Sequence, residues 1–334
     1  MKRVESLLIS ALLAFGVSCA AARHPQEANG ASREIGRISR LTGWQPGPEG
    51  NQVPLWPEGL PIQGPESDKP EEVGTGSKLV AGRPWTWATY VSRPTMTIYQ
   101  PRGGNARPAI VVLPGGGYAA VAMDLEGTEI CDWITKQGMT CIVLKYRVPQ
   151  AWRHGDAHVE EAPKVQLPLQ DAQRAMGLLR HRASSYGIDP EKIGVMGFSA
   201  GGHLAAAVSN AEKRTYEPVD DADRESSRPD FAILLYPGHL WDETSPRTSL
   251  ELSPWVEISA HAPPTLLIHA MNDPTDDVRH SMAYGQALHD AGVPVDMRFY
   301  AKGGHAFGIR PTDAPITTEW PELVVTWLHD IGVP

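Results

Sequence analysis

Residues 194–203 read Gly-Val-Met-Gly-Phe-Ser-Ala-Gly-Gly-His. A short apolar run gives way there to an Ala-rich run, and Ser199 sits at the change between Gly197 and Gly201. This is the spacing of an elbow in which a strand turns sharply into a helix and lifts a serine hydroxyl into a cleft. The turn strains the serine backbone, and a side chain at Gly197 or Gly201 would collide with the neighbouring strand or helix. The N-terminus of the following helix favours negative charge developing beside the serine. The chemistry open to such a hydroxyl is nucleophilic acyl transfer. Ordinary Gly/Ser turns share the pattern, so its partners elsewhere in the chain decide.

A serine hydroxyl needs a base, and the base needs an orienting carboxylate. On an α/β scaffold they follow in the order Ser, Asp, His, at the C-terminal ends of strands. His305, in Gly303-Gly304-His305-Ala306-Phe307, follows a predicted strand over 295–300 and fits the base. His269 lies inside a predicted strand, and His280 and His289 lie on a predicted helix, so they fit worse. Asp273, Asp276 and Asp277 all follow the apolar run 265–269. Asp273 comes first and precedes Pro274, which makes it the preferred carboxylate. Asp276 is the alternative. The remaining acids suit a charged cap on the next helix.

An oxyanion needs donors. Pro114-Gly115-Gly116-Gly117-Tyr118 follows the buried run 109–113 and leaves backbone N–H groups free to face a cleft. The amides of this run, with that of Ala200 after the nucleophile, have the makings of an oxyanion hole. His203 is read as packing beneath the loop rather than as a base. His154 and His158 stand four residues apart but lack a third ligand, so no metal is expected.

These residues need a sheet to hold them. Apolar or alternating runs predict strands over 95–99, 109–113, 140–144, the stretch before the elbow, 231–236, 265–269 and 295–300. Helical spacing predicts helices over 124–137, 167–185, after Ser199, 278–291 and 316–330. The alternation implies an α/β fold, a doubly wound, mostly parallel sheet in three layers. No internal repeat and no large cap domain is seen.

The chain has 334 residues and a formal net charge of -9. That balance, without a basic cluster, excludes nucleic acid as a partner. Lys2 and Arg3 precede an apolar run from Leu7 to Val17, then Ser18-Cys19-Ala20-Ala21-Ala22. Residues 1–22 read as a secretory signal peptide, too short in its apolar part to span a bilayer. Cys19 is alternatively a lipid-attachment cysteine, and either reading places the mature protein outside the cytoplasm. Residues 23–52 read as a flexible leader, and 53–334 as the domain. Cys131 and Cys141 remain; two buried thiols, one on a helix and one on a strand, are preferred over a pair.

Several short motifs together resemble one family. They are Leu55-Trp56-Pro57, Val91-Ser92-Arg93-Pro94-Thr95, the glycine run after Pro114, Glu126-Gly127, Lys145-Tyr146-Arg147, the elbow through His203, Asn272-Asp273-Pro274, and Gly303 to Gly308. In these the chain resembles α/β-hydrolase esterases of the acetyl xylan esterase and feruloyl esterase-like group. The resemblance covers about residues 53–330. It implies the α/β-hydrolase fold, Ser199 as nucleophile, Asp273 as acid, His305 as base, and Gly116, Gly117 and Ala200 as oxyanion donors. It also implies hydrolysis of a short-chain ester, such as an acylated saccharide, without metal or other cofactor. Relatives often carry His before the glycine run, where this chain has Pro114, which bears on the shape of that loop. The rival expectations are a feruloyl esterase, a peptidase on the same fold, and a non-catalytic carbohydrate-binding surface protein.

Overall fold

Uninterrupted runs of Val, Ile and Leu make strands that are covered on both faces. The computed structural model describes residues 35–39, 43–58, 64, 69–103, 107–148 and 165–334, and it sets these runs in the middle of one sheet. The strands are β1 (Ile35–Ser39), β2 (Asn51–Pro54), β3 (Glu72–Gly76), β4 (Thr86–Thr89), β5 (Thr95–Tyr99) and β6 (Arg107–Leu113). They continue with β7 (Val121–Ala122), β8 (Thr140–Lys145), β9 (Ile188–Phe198), β10 (Ala232–Leu235), β11 (Thr265–Ala270) and β12 (Val295–Tyr300). The helices are α1 (Glu129–Lys136), α2 (Gln166–His181), α3 (Ala183–Tyr186), α4 (Ala200–Asn210), α5 (Arg279–Asp290) and α6 (Ile316–Asp330).

The main sheet has the order β12-β11-β10-β9-β6-β8-β5-β2. From β12 to β8 all neighbours are parallel, while β5 and β2 close one edge antiparallel. β9 lies inside the sheet between β6 and β10, so every residue from Gly194 to Phe198 is buried. Helices cover both faces. Trp133 of α1 meets Trp320 of α6 on one face, ring centroids 5.3 Å apart. On the other, Asn210 of α4 donates to the Tyr284 hydroxyl of α5 at 2.8 Å. The predicted doubly wound, three-layer arrangement is therefore present.

Two expectations need correction. The leader over 23–52 is not irregular throughout. β1 pairs antiparallel with β3, and Asn51 and Gln52 begin β2, which pairs with β5. β1, β3, β4 and β7 form a second, four-stranded sheet. An edge strand is held by backbone bonds to its neighbour, so polar sequence without apolar period can still join a sheet. Cys131 and Cys141, expected as separate thiols, form a disulfide. α1 folds back along β8 after a short turn, which brings their Cα atoms to 5.2 Å, inside the range a disulfide spans.

The expected signal segment with Cys19 lies outside the described residues, as do His154 and His158. Among the described residues no helix is long and apolar enough to cross a membrane.

Candidate active site

β9 ends at Phe198 and α4 begins at Ala200, leaving Ser199 alone at the turn with φ 54° and ψ -122°. A Cβ on Gly197 would lie 2.1 Å from the Gly201 carbonyl oxygen, and one on Gly201 would lie 1.9 Å from that of Leu113. Only glycine fits at either place, as the spacing implies. Tyr118, Tyr236 and Ala306, in the loops around Ser199, also hold positive φ. Backbone strain of this kind collects where a site is held in one geometry by its surroundings.

Three strand ends bring the expected partners together. The Ser199 hydroxyl lies 2.9 Å from His305 Nε2, and His305 Nδ1 lies 2.7 Å from Asp273 Oδ2. The tautomer that satisfies both contacts carries its proton on Nδ1 and accepts the serine proton on Nε2. Asp273 is fixed in turn. Its Oδ1 accepts from the N–H groups of Thr275 at 2.8 Å and Asp276 at 3.0 Å, and its Oδ2 accepts from His269 Nε2 at 3.2 Å. His269, at the end of β11, accepts the Ser281 hydroxyl proton on Nδ1 at 2.8 Å. It orients Asp273 and makes no bond to Ser199, a role its place in a strand gave no hint of.

Asp276 does not contact His305 Nδ1. It stands on the other side of the imidazole, with Oδ2 at 3.3 Å from Ser199 Oγ and 3.6 Å from His305 Nε2. The choice between Asp273 and Asp276 is thus geometric: Asp273 holds the far nitrogen, and Asp276 faces the reacting pair. Asp277 turns outward to Arg279 and Arg247. His203 bonds the Tyr118 hydroxyl through Nδ1 at 2.8 Å, under the glycine run. Burial, then the charge of His280, pushes its pKa down to about 3. His280 instead accepts the backbone N–H groups of Leu240 and Trp241 on Nδ1, at 3.2 and 2.9 Å.

The glycine run lies against the serine. A Cβ on Gly115 would be 2.9 Å from Ser199 Cβ. Gly116 holds φ 134° and Gly117 φ 62°, and the Gly116 carbonyl accepts from Ala119 and Ala120 at 3.0 and 3.1 Å. The loop turns on that carbonyl and frees its amides. Among the described residues, the N–H groups of Gly116, Gly117 and Ala200 have no backbone acceptor. Gly115 N–H is occupied; it donates to Glu126 Oε2 at 2.8 Å. The Tyr236 hydroxyl donates to Glu126 Oε1 at 2.8 Å and accepts from Gly308 N–H at 3.2 Å. Glu126 and Tyr236 thus tie the glycine run to the loop that carries His305. Sequence reasoning marked Glu126 only as part of a motif, because a buried acid at a helix start looks like a cap.

The electrostatics follow from this crowding. Burial alone pushes the His305 imidazole down, but the bond to Asp273 and the charges of Asp276, Asp273 and Glu126 outweigh it and raise its pKa above the ordinary value. For Asp273 burial pushes up, yet the bonds from His269 and His305, the charge on His305 and the Thr275 amide hold its pKa well below the carboxylate range. Burial raises the Glu126 pKa, against the bonds from Tyr236 and Gly115 and the charge of His305. The result is a carboxylate held ionised, an imidazole that favours a proton, and a serine between that imidazole and the amides.

Comparison with known proteins agrees with the architecture. The family model described as BD-FAE matches residues 96–235. The chain is similar to an acetylxylan esterase of Xylanibacter ruminicola, 31% identical over 232 residues, covering 64% of this chain and 43% of that protein. It is similar to endo-1,4-beta-xylanase B of Butyrivibrio fibrisolvens, 28% identical over 66% of this chain and 36% of that protein. The chain spans less than half the length of these two curated relatives. Among solved structures it resembles an acetyl ester-xyloside bifunctional hydrolase from Caldicellulosiruptor lactoaceticus. There the TM-score is 0.63 at 29% identity, covering 86% of this chain and 98% of the other. With its eight-stranded sheet and its elbow, the chain has the α/β-hydrolase fold of its solved relatives.

Proposed function

We propose that this protein is a serine esterase that removes short acyl groups, acetyl foremost, from plant polysaccharide such as xylan. The observation that carries the mechanism is His305, bonded to Ser199 Oγ at 2.9 Å through one ring nitrogen and to Asp273 at 2.7 Å through the other. The relatives named for acetylxylan ester hydrolysis support the substrate class.

Ser199 Oγ attacks the ester carbonyl carbon while His305 Nε2 takes its proton. The resulting oxyanion points at the amides of Gly116, Gly117 and Ala200. Losing one such donor costs roughly 3 kcal/mol of barrier. Asp273 holds the imidazole by Nδ1 and stabilises the imidazolium. The tetrahedral intermediate collapses, and His305 gives its proton to the leaving alcohol. Water, activated by the same imidazole, then attacks the acyl-serine and frees the acid. The protein's own residues supply every group this sequence requires.

We also propose export of the protein. The charged, apolar and small-residue order of residues 1–22 supports it, and so does a disulfide suited to an oxidising compartment. Acetate release from acetylated xylan and from p-nitrophenyl acetate tests the activity. The expected result is turnover of both, abolished by Ser199→Ala together with labelling by a fluorophosphonate. Preferential cleavage of methyl ferulate would instead favour a feruloyl esterase.

A further inference from the structure

Two carboxylates flank His305, and the triad uses only one. The second, Asp276, is built in firmly. Its N–H donates to Asp273 Oδ1 at 3.0 Å, and its carbonyl accepts from His269 Nε2 at 3.1 Å. A Cβ on Gly238 would lie 2.6 Å from Asp276 Oδ1, so a glycine after β10 makes room for the side chain. What this arrangement presents to the reaction is Oδ2, at 3.3 Å from the nucleophile and 3.6 Å from the base.

The sheet order says which side of the substrate this oxygen meets. The glycine run follows β6, on one side of β9; Asp276 follows β11, on the other. The ester carbonyl oxygen turns toward the glycine amides. The leaving oxygen must then lie toward His305 Nε2, which protonates it, and Asp276 borders that place. The Asp276 side chain is 6% exposed and that of His305 10%, so both are nearly buried beside Ser199.

A carboxylate offers only acceptors, about four positions over its two oxygens. A leaving group that suits it carries a donor close to the ester oxygen. A simple alkyl alcohol has none. A hydroxyl on the carbon next to the esterified one has it, as in a partly acylated sugar, and an anionic leaving group would be repelled. We propose that Asp276 is a specificity-determining residue that accepts a hydrogen bond from the free hydroxyl neighbouring the ester, selecting mono-acylated vicinal diols as substrates. This rests on the esterase reading above and deepens it. No covalent step passes through Asp276.

The test compares 2-hydroxyethyl acetate with 2-methoxyethyl acetate, which differ at that position by a donor. Their ratio of alkaline hydrolysis rates without enzyme gives the intrinsic baseline. A hydrogen bond to a charged acceptor predicts that wild-type kcat/KM favours the hydroxy ester by about tenfold or more over that baseline. Asp276→Ala should return the ratio to the baseline, and Asp276→Asn, a neutral acceptor, should fall between. A wild-type ratio at the baseline overturns the proposal without any variant, and so does a ratio that persists in Asp276→Ala. If Asp276→Ala fails to fold, an undiminished ratio in Asp276→Asn overturns it equally. Turnover of p-nitrophenyl acetate with no preference sinks this inference alone; absence of turnover on all three esters sinks the esterase reading with it.

Discussion

Tyr236 donates its hydroxyl proton to Glu126 at 2.8 Å, with both residues buried. The other oxygen of that carboxylate accepts from Gly115 N–H at 2.8 Å, so both oxygens face donors. Glutamine in its place would turn an NH2 group toward one of them. Either the glycine run or the Tyr236 end would lose its anchor, and a buried donor would be left without an acceptor. Glu126→Gln is expected to cost about 1–3 kcal/mol, roughly fivefold to 150-fold in kcat, with KM little changed. Steady-state kinetics on p-nitrophenyl acetate measure it. A wild-type kcat in this variant would show that the carboxylate does not hold the loop.

The pH profile follows from the groups facing His305. Asp273 and Asp276 approach from the loop after β11, Glu126 from the turn before α1, and the Tyr236 ring packs at 4.9 Å. The carboxylates raise the imidazole pKa. An imidazolium cannot accept the serine proton, so kcat/KM falls as pH drops through the folded-state value. That acid limb should have its midpoint above the ordinary histidine value of about 6.5. Linkage gives stability the opposite trend. The stabilisation from protonated His305 is fully present below about 6.5 and is lost as pH rises through the folded-state value. A midpoint at or below the ordinary value would show that these carboxylates do not raise the imidazole pKa.

The two aspartates should separate cleanly. Asp273→Asn presents an amide that can donate to Nδ1 and so favours the wrong tautomer. A loss of roughly 10⁴-fold in kcat is expected, by analogy with the corresponding change in a serine protease triad. Asp276→Asn leaves the Nδ1 side untouched and should lose far less on p-nitrophenyl acetate. Reversed magnitudes would make Asp276 the triad acid.

Much of this was legible in the chain. The core strands announce themselves as apolar runs because both of their faces are covered, and the elbow glycines announce a backbone approach that no side chain permits. Ser199 and Asp273 were findable because each follows such a run, and His305 because it follows the strand predicted over 295–300. Other features left no local signal. β1 and β2 are held at sheet edges by backbone pairing, which any sequence can supply. The Cys131–Cys141 bond depends on how α1 lies along β8, a tertiary fact. Which of three nearby aspartates faces Nδ1 depends on the turn after β11, fixed by the bonds of Thr275 and Asp276 N–H to Asp273. His269 looked like strand filling because its partners, Asp273, Asp276 and Ser281, come from the loop after β11 and from α5.

The disulfide gives the last test, of stability rather than chemistry. It closes a loop between residues ten apart and pins α1 to β8. The turn that opens into α1 carries Glu126, so the bond also steadies the support of the glycine run. Closing a loop of this size removes freedom from the unfolded chain worth about 2–3 kcal/mol. The double variant Cys131→Ser, Cys141→Ser should therefore lose about 2–3 kcal/mol of unfolding free energy, read as a lower denaturant midpoint. The packing around it is otherwise apolar: Ile130 and Ile134 are fully buried, and so is Ile142 beside Cys141. These contacts remain in the variant, so kcat well below the unfolding temperature should change much less than stability. Denaturation of the wild type with and without reductant measures the stability term. An unchanged midpoint under reduction would mean that the bond contributes nothing to the folded state, and a collapse of kcat without loss of stability would mean that its role is to set the glycine run.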